Sequence, residues 1–202
     1  MADITLYTNP MSRGRIVHWL LEELQVPYDL KVLDFEKREH KSPEYLKVNP
    51  MGKVPAIVHR GTVITEAAAI CVYLADAFPK AGLAPAFDDP QRGTYLRWLF
   101  FGAGCIEPAF VDKLFNRPAV ERKGVVGYGS YDDTVSTLEA ALTPGPWLLG
   151  QRFSAADIYV GAQVQWGFMV KALEPRPKFS QYMERIAARP ALQKIMKGAQ
   201  SS

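Results

Sequence analysis

The feature that most limits what this chain can fold into is a change of period near residue 80. Before it, strand and helix patterns alternate; beyond it, every periodic run is helical. "DITLYT" alternates Ile4 and Leu6 with polar neighbours until Pro10 stops it. From Ser12 the period changes, and Ile16, Val17, Leu20, Leu21 and Leu24 form one apolar helical stripe. Tyr28 to Leu33 reads as a second strand, and "HKSPEYLKVNP" as a short helical crossing with Ser42 as cap and Pro43 at the first helical position. "KVPAIVHRGTVIT" predicts a hairpin turning at Arg60-Gly61. "EAAAICVYLADAF" is a helix with Ile70, Leu74 and Phe78 on one side, ended by Pro79.

"PKAGLAPAFDDPQ" then carries three prolines and a glycine, the composition of a linker. After it come "RGTYLRWLFFGAG", "SYDDTVSTLEAAL", "FSAADIYVGAQVQW" and "FSQYMERIAARP", the last with Phe179, Tyr182, Met183 and Ile186 on one face. Ser154 and Asp157 stand at the spacing of a helix-capping box and read as structural. The expected architecture is an α/β domain over 1–79, a linker over 80–88 and an all-helical domain over 89–202.

Composition excludes several classes. Apolar residues at 48% and charged residues at 22% suit a globular protein that buries its core without disulfides or metals. A net charge of +3, from 24 basic and 21 acidic residues scattered along the chain, leaves no nucleic-acid footprint. Cys71 and Cys105 lie far apart in apolar runs and read as buried free thiols. His18, His40 and His59 show no HxxxH or HExxH spacing, so no metal is expected. No basic-then-apolar leader precedes "ADITLY", and no apolar run approaches the ~20 residues that span a bilayer, so a cytoplasmic protein without membrane partners is expected.

"YLKVNPMGKVPAIV" followed by "VITEAAAICVYLADAFP", with "PWLLGQRFSAADIYVGAQ" further on, resembles the cytosolic glutathione S-transferases over nearly the whole length. The segment from about Asp89 to Ala140 matches only in helical character. The resemblance is to bacterial, serine-type-like members, with the class left open. The absence of CxxC or a lone N-terminal cysteine sets glutaredoxins and cysteine-type members aside. It implies a thioredoxin-like N-terminal domain with an all-α C-terminal domain, glutathione as co-substrate, a homodimer and a role in detoxification. The expected activity is attack of the glutathione thiolate on small, mostly apolar electrophiles. A non-catalytic binding or assembly module, or a glutathione-dependent isomerase, peroxidase or dehalogenase, is the alternative on the same fold.

The resemblance also implies residue roles. A cis bond between Val54 and Pro55 would turn the Val54 backbone outward to pair with the cysteinyl part of glutathione. Glu66 matches the acid that takes the γ-glutamyl ammonium, at a helix start suited to the carboxylate. Ala67 stands where the relatives keep a serine, which costs a side-chain hydrogen bond but leaves the backbone N–H. Lys53, with either His40 or Lys41, is expected to meet the glycyl carboxylate. Tyr95, Trp98 and Phe101 in "YLRWLFF" are candidates for the electrophile side, and equally core residues.

Thiol activation needs a donor. A free thiol with a pKa of about 8.5 is mostly protonated at neutral pH, and lowering it two units takes roughly 2.7 kcal/mol. A hydroxyl donating to the thiolate, helped by a helix N-terminus, is suited to that task. In "YTNPMSRGRIVHW", counting back from Leu24-Gln25 puts the serine-type position at Met11 or Ser12, and counting from the strand end puts it at Thr8. Ser12 is the first choice, with Thr8, Asn9 and Tyr7 as alternatives. Ser12 also reads as a helix N-cap, and Arg13 and Arg15 add positive potential.

Overall fold

The computed structural model of the chain describes residues 2–198. Its elements are β1 (Ile4–Thr8), α1 (Gly14–Leu24), β2 (Asp29–Val32), α2 (Pro43–Leu46), β3 (Ala56–His59), β4 (Thr62–Thr65) and α3 (Ala67–Ala77). Then follow α4 (Arg92–Phe101), α5 (Glu107–Leu114), α6 (Tyr131–Ala141), α7 (Ala155–Met169), α8 (Pro177–Ala187) and α9 (Pro190–Gly198). They form two compact units, one holding everything up to Ala81 together with α9, the other Gly82–Arg189.

In the first unit a four-stranded sheet runs in the order β2-β1-β3-β4, with β1 parallel to β2 and antiparallel to β3. Alternation along β1 buries Ile4, Leu6 and Thr8 on one face and turns Thr5 and Tyr7 to the other. The stripe on α1 buries Ile16, Val17, Leu20, Leu21 and Leu24 as its spacing requires. β3 and β4 pair through the expected hairpin, with Arg60 and Gly61 both at positive φ (50° and 80°), the geometry of a two-residue turn that follows strand twist.

In the second unit α7 is buried over most of its length. Its capping box is complete: Ser154 N and Oγ donate to Asp157 Oδ2, and Ser154 Oγ accepts from Ala156 N. α4 continues through a π-helical segment, Gly102–Ile106, into α5. Among the described residues no helix is long and apolar enough to cross a membrane.

Four expectations change. The sequence puts everything beyond residue 88 in the helical domain, but α9 packs on α1, with Leu192 buried and Lys194 Nζ donating to Glu22 Oε2 at 2.6 Å. The proline-rich linker is held to the second unit: Leu83 O accepts from Ala155 N, and Arg152 donates to the carbonyls of Gly82 and Ala84. Cys71 is buried, whereas Cys105, on the π segment, is only half-buried. Tyr95 and Trp98 are core residues with 0% and 4% of their surface exposed, so of the three aromatics offered for an electrophile only Phe101, edge-on to Trp98, keeps appreciable surface.

Candidate functional site

The strand register brings the proposed glutathione contacts to one end of the sheet. Tyr7 pairs with Ala56, and Ala56 with Thr65. Just beyond these pairs come Thr8 at the end of β1, Pro55 immediately before β3 and Glu66 immediately after β4. α1 and α3 both begin at this end. The first amides of α1 are taken within the turn, Gly14 N by Ser12 Oγ, Arg15 N by Ser12 O and Ile16 N by Arg13 O. The start of α3 carries no side-chain cap and can offer its first amides to a ligand. This is where β1 and β2 run out in parallel, the carboxyl end at which open α/β sheets bind ligands.

The Val54-Pro55 bond is cis, as expected from the resemblance. Glu66 is exposed and occupies the N-cap of α3 at φ 65°, a positive value rare for a residue with a side chain. Such backbone strain clusters at ligand-binding positions. Ala67 is the first residue of α3, half-buried, with only its backbone to offer.

The loop from Asn49 to Lys53 is tethered at several of its peptides. Met51 N donates to Asn49 Oδ1 (3.1 Å) and Gly52 N to Asn49 O (2.8 Å). Lys41 Nζ donates to Met51 O at 2.7 Å. Gly52 holds φ 60°, and a Cβ there would fall 2.6 Å from the His40 carbonyl, so only glycine fits. Lys41 and Lys53 thus belong to one loop, both exposed. The His40 ring instead packs edge-on to Phe35 at 4.8 Å, and its Nδ1 is buried.

At the β1–α1 turn the hydroxyls differ. Ser12 Oγ donates to Asn9 O at 2.6 Å and accepts from Gly14 N at 3.0 Å, closing the turn rather than capping α1, whose N-cap is Arg13. Asn9 Nδ2 donates to Leu33 O and Asn9 Oδ1 accepts from Met11 N. Thr8 is buried at the sheet end with its hydroxyl against the first turn of α1: a Cβ on Gly14 would fall 1.9 Å from Oγ1. No hydrogen bond among the described residues occupies that hydroxyl. Tyr7 points to the opposite sheet face, where its ring lies 5.5 Å from that of Tyr45 and its hydroxyl accepts from Lys31 Nζ at 3.3 Å. Among the described residues no three His, Cys, Asp or Glu side chains are grouped to hold a metal.

The family models for the glutathione S-transferase N-terminal domain and C-terminal domain match residues 2–76 and 131–190. Glutathione S-transferase GstA of Escherichia coli O157:H7 is 30% identical over 191 residues, 93% of this chain and 94% of that one. The chain belongs to the cytosolic glutathione S-transferase family. The disulfide-bond oxidoreductase YfcG of Escherichia coli K12 is 31% identical over 213 residues, covering 98% of this chain and 96% of its own. A glutathione transferase homologue from Sulfitobacter, solved with bound glutathione, superposes with a TM-score of 0.79 at 27% identity, over 98% of this chain and 99% of that one. The glutathione S-transferase fold therefore holds for both halves of the chain.

Sequence reasoning missed Tyr45. Its hydroxyl donates to Lys53 O at 2.5 Å, and nothing in "PEYLK" distinguishes it from an ordinary apolar-face residue.

Proposed function

We propose that the chain is a glutathione transferase that binds glutathione along the Val54 edge and activates its thiol for attack on small electrophiles. The observation that carries this is the meeting of Thr8, the cis Val54-Pro55 bond and Glu66, the N-cap of α3, at the shared end of β1, β3 and β4. The homologue with bound glutathione supports it. In this reading Glu66 takes the γ-glutamyl ammonium, and the Ala67 N–H takes the carboxylate. Lys53 and Lys41 meet the glycyl carboxylate, Lys41 rather than His40 because the His40 ring is turned onto Phe35.

The hydroxyl donor is assigned to Thr8 ahead of Ser12. Ser12 has one proton, and it is engaged by Asn9 O; the Thr8 proton is uncommitted. Asn9 is the second donor in this reading, since Nδ2 carries two hydrogens and Leu33 O takes one. Tyr7 is set aside because it faces α2. The working form in this reading is a cytoplasmic homodimer engaged in detoxification.

The test is calorimetric titration with glutathione, followed by turnover of chlorodinitrobenzene. Binding at millimolar or lower concentration with measurable conjugation is expected. No binding and no turnover, in a folded sample, would sink the reading. The 31% identity to a disulfide-bond oxidoreductase favours a second one: two glutathione molecules reduce a mixed or symmetrical disulfide to thiols and leave as glutathione disulfide. Turnover of hydroxyethyl disulfide without conjugation of chlorodinitrobenzene would select it.

A further inference from the structure

The peptide ahead of the Val54-Pro55 edge is held by two side chains of one helical turn. Tyr45 and Asn49 stand four residues apart across the end of α2, a spacing that puts both on one face. Both donate to the same atom: Tyr45 Oη to Lys53 O at 2.5 Å, and Asn49 Nδ2 to Lys53 O at 2.8 Å. A carbonyl has two lone pairs, and here both are taken by buried donors. Tyr45 is itself fixed, its backbone N donating to the Ser42 cap at 3.2 Å and its ring lying against Tyr7. Asn49 also accepts from Met51 N through Oδ1. The tethers on Met51, Gly52 and Lys53 end on the Lys53–Val54 peptide itself.

From this we infer that Tyr45 and Asn49 are positioning residues that set the Val54 backbone edge for glutathione by clamping the Lys53 carbonyl. They touch no ligand themselves. Without the clamp the Lys53–Val54 peptide can rotate, and the ordering cost moves from folding to binding. Affinity for glutathione then falls, while chemistry on the bound thiol, which depends on the β1–α1 turn, is little changed. The inference rests on the glutathione-binding reading above.

Tyr45→Phe keeps the ring on Tyr7 and removes only the donor. A loss of about five- to tenfold in glutathione affinity is expected, with KM for glutathione rising by the same factor and kcat changing less than about twofold. Asn49→Ala is expected to act in the same direction, and the double variant to lose more than either. Tyr131→Phe is the control: it removes another tyrosine-to-carbonyl bond, Tyr131 Oη to Ala172 O at 2.8 Å in the helical unit, and should leave glutathione affinity unchanged. Amide hydrogen exchange over 51–56 is read in parallel, without ligand. Faster exchange there in Tyr45→Phe, with α7 unaffected, supports the clamp even if wild type binds no glutathione, in which case the functional reading fails alone. Unchanged exchange over 51–56, or unchanged affinity with only a lower melting temperature, overturns the inference.

Discussion

Ser12 and Thr8 are four residues apart, and their hydroxyls do opposite work. The Ser12 hydroxyl closes the β1–α1 turn through Asn9 O and Gly14 N, while Thr8 is a buried residue at the sheet end whose hydroxyl has no hydrogen bond among the described residues. Thr8→Ala is therefore expected to lower kcat/KM at neutral pH by about tenfold or more, and to raise the pH at which the thiol ionises. Ser12→Ala is expected to cost roughly 1 kcal/mol of stability with a smaller effect on rate. A pH–rate profile for each variant decides between them, and a wild-type profile for Thr8→Ala sinks the assignment. Gly52 belongs to this scale as well. Its φ of 60° and the His40 carbonyl 2.6 Å from any Cβ lead us to expect that Gly52→Ala loses about 2–3 kcal/mol, read by urea denaturation.

Among the elements, α7 depends most on a single side chain. Asp157 accepts from Leu148 N, Ser154 N, Ser154 Oγ and Tyr182 Oη, so one carboxylate joins the 147–152 turn, the start of α7 and α8. Removing it strands three donors in the core and leaves Tyr182 Oη only the Asp157 carbonyl at 3.3 Å. Asp157→Ala is expected to destabilise by roughly 3–4 kcal/mol, and Asp157→Asn by less, measured as the denaturation midpoint. The capping spacing was legible because it is local in sequence. Tyr182 as the fourth partner was not, since only helix packing brings it there. α2 shows the same limit: Ser42-Pro43 announces the helix, but nothing local says that Tyr45 and Asn49 meet at Lys53 O.

At the scale of the whole molecule, α9 is the element that pattern alone misplaces. Its apolar face reads like that of the helices before it, yet it packs on α1 with Leu192 buried. Leu192→Ala is expected to cost about 2–4 kcal/mol, and circular dichroism on heating will measure it. Stability should also respond to pH. Burial lowers the pKa of His18 and of His59, whose Nδ1 pairs with Tyr73 Oη and whose Nε2 is buried without a partner. Both then bind protons less readily folded than unfolded. Their contribution is complete above about pH 6.5 and is lost as pH falls toward their lowered folded values. Asp157 has the opposite sign. Burial pushes its carboxyl up to about 6 against four donors that pull it down, so its contribution grows as pH falls through that value. The melting temperature of His59→Asn should drop less than that of wild type between pH 7.5 and 5.5; equal slopes would remove His59 from the account.

Periodicity, turn chemistry and capping are local properties, so the sequence by itself determined the strands, α1 to α4 and α6 to α8, the Arg60-Gly61 hairpin, the caps at Ser42 and Ser154 and, through the resemblance, the family. It also brought Val54, Pro55 and Glu66 to notice. What it left open was which hydroxyl is uncommitted, where α9 packs, which aromatics are core, and what holds the Lys53 carbonyl. The place of α9 and the aromatic core depend on groups distant in sequence. The Ser12 and Lys53 bonds span only three to eight residues but depend on which side chains compete for one proton or one lone pair, and only the folded chain decides who wins that competition.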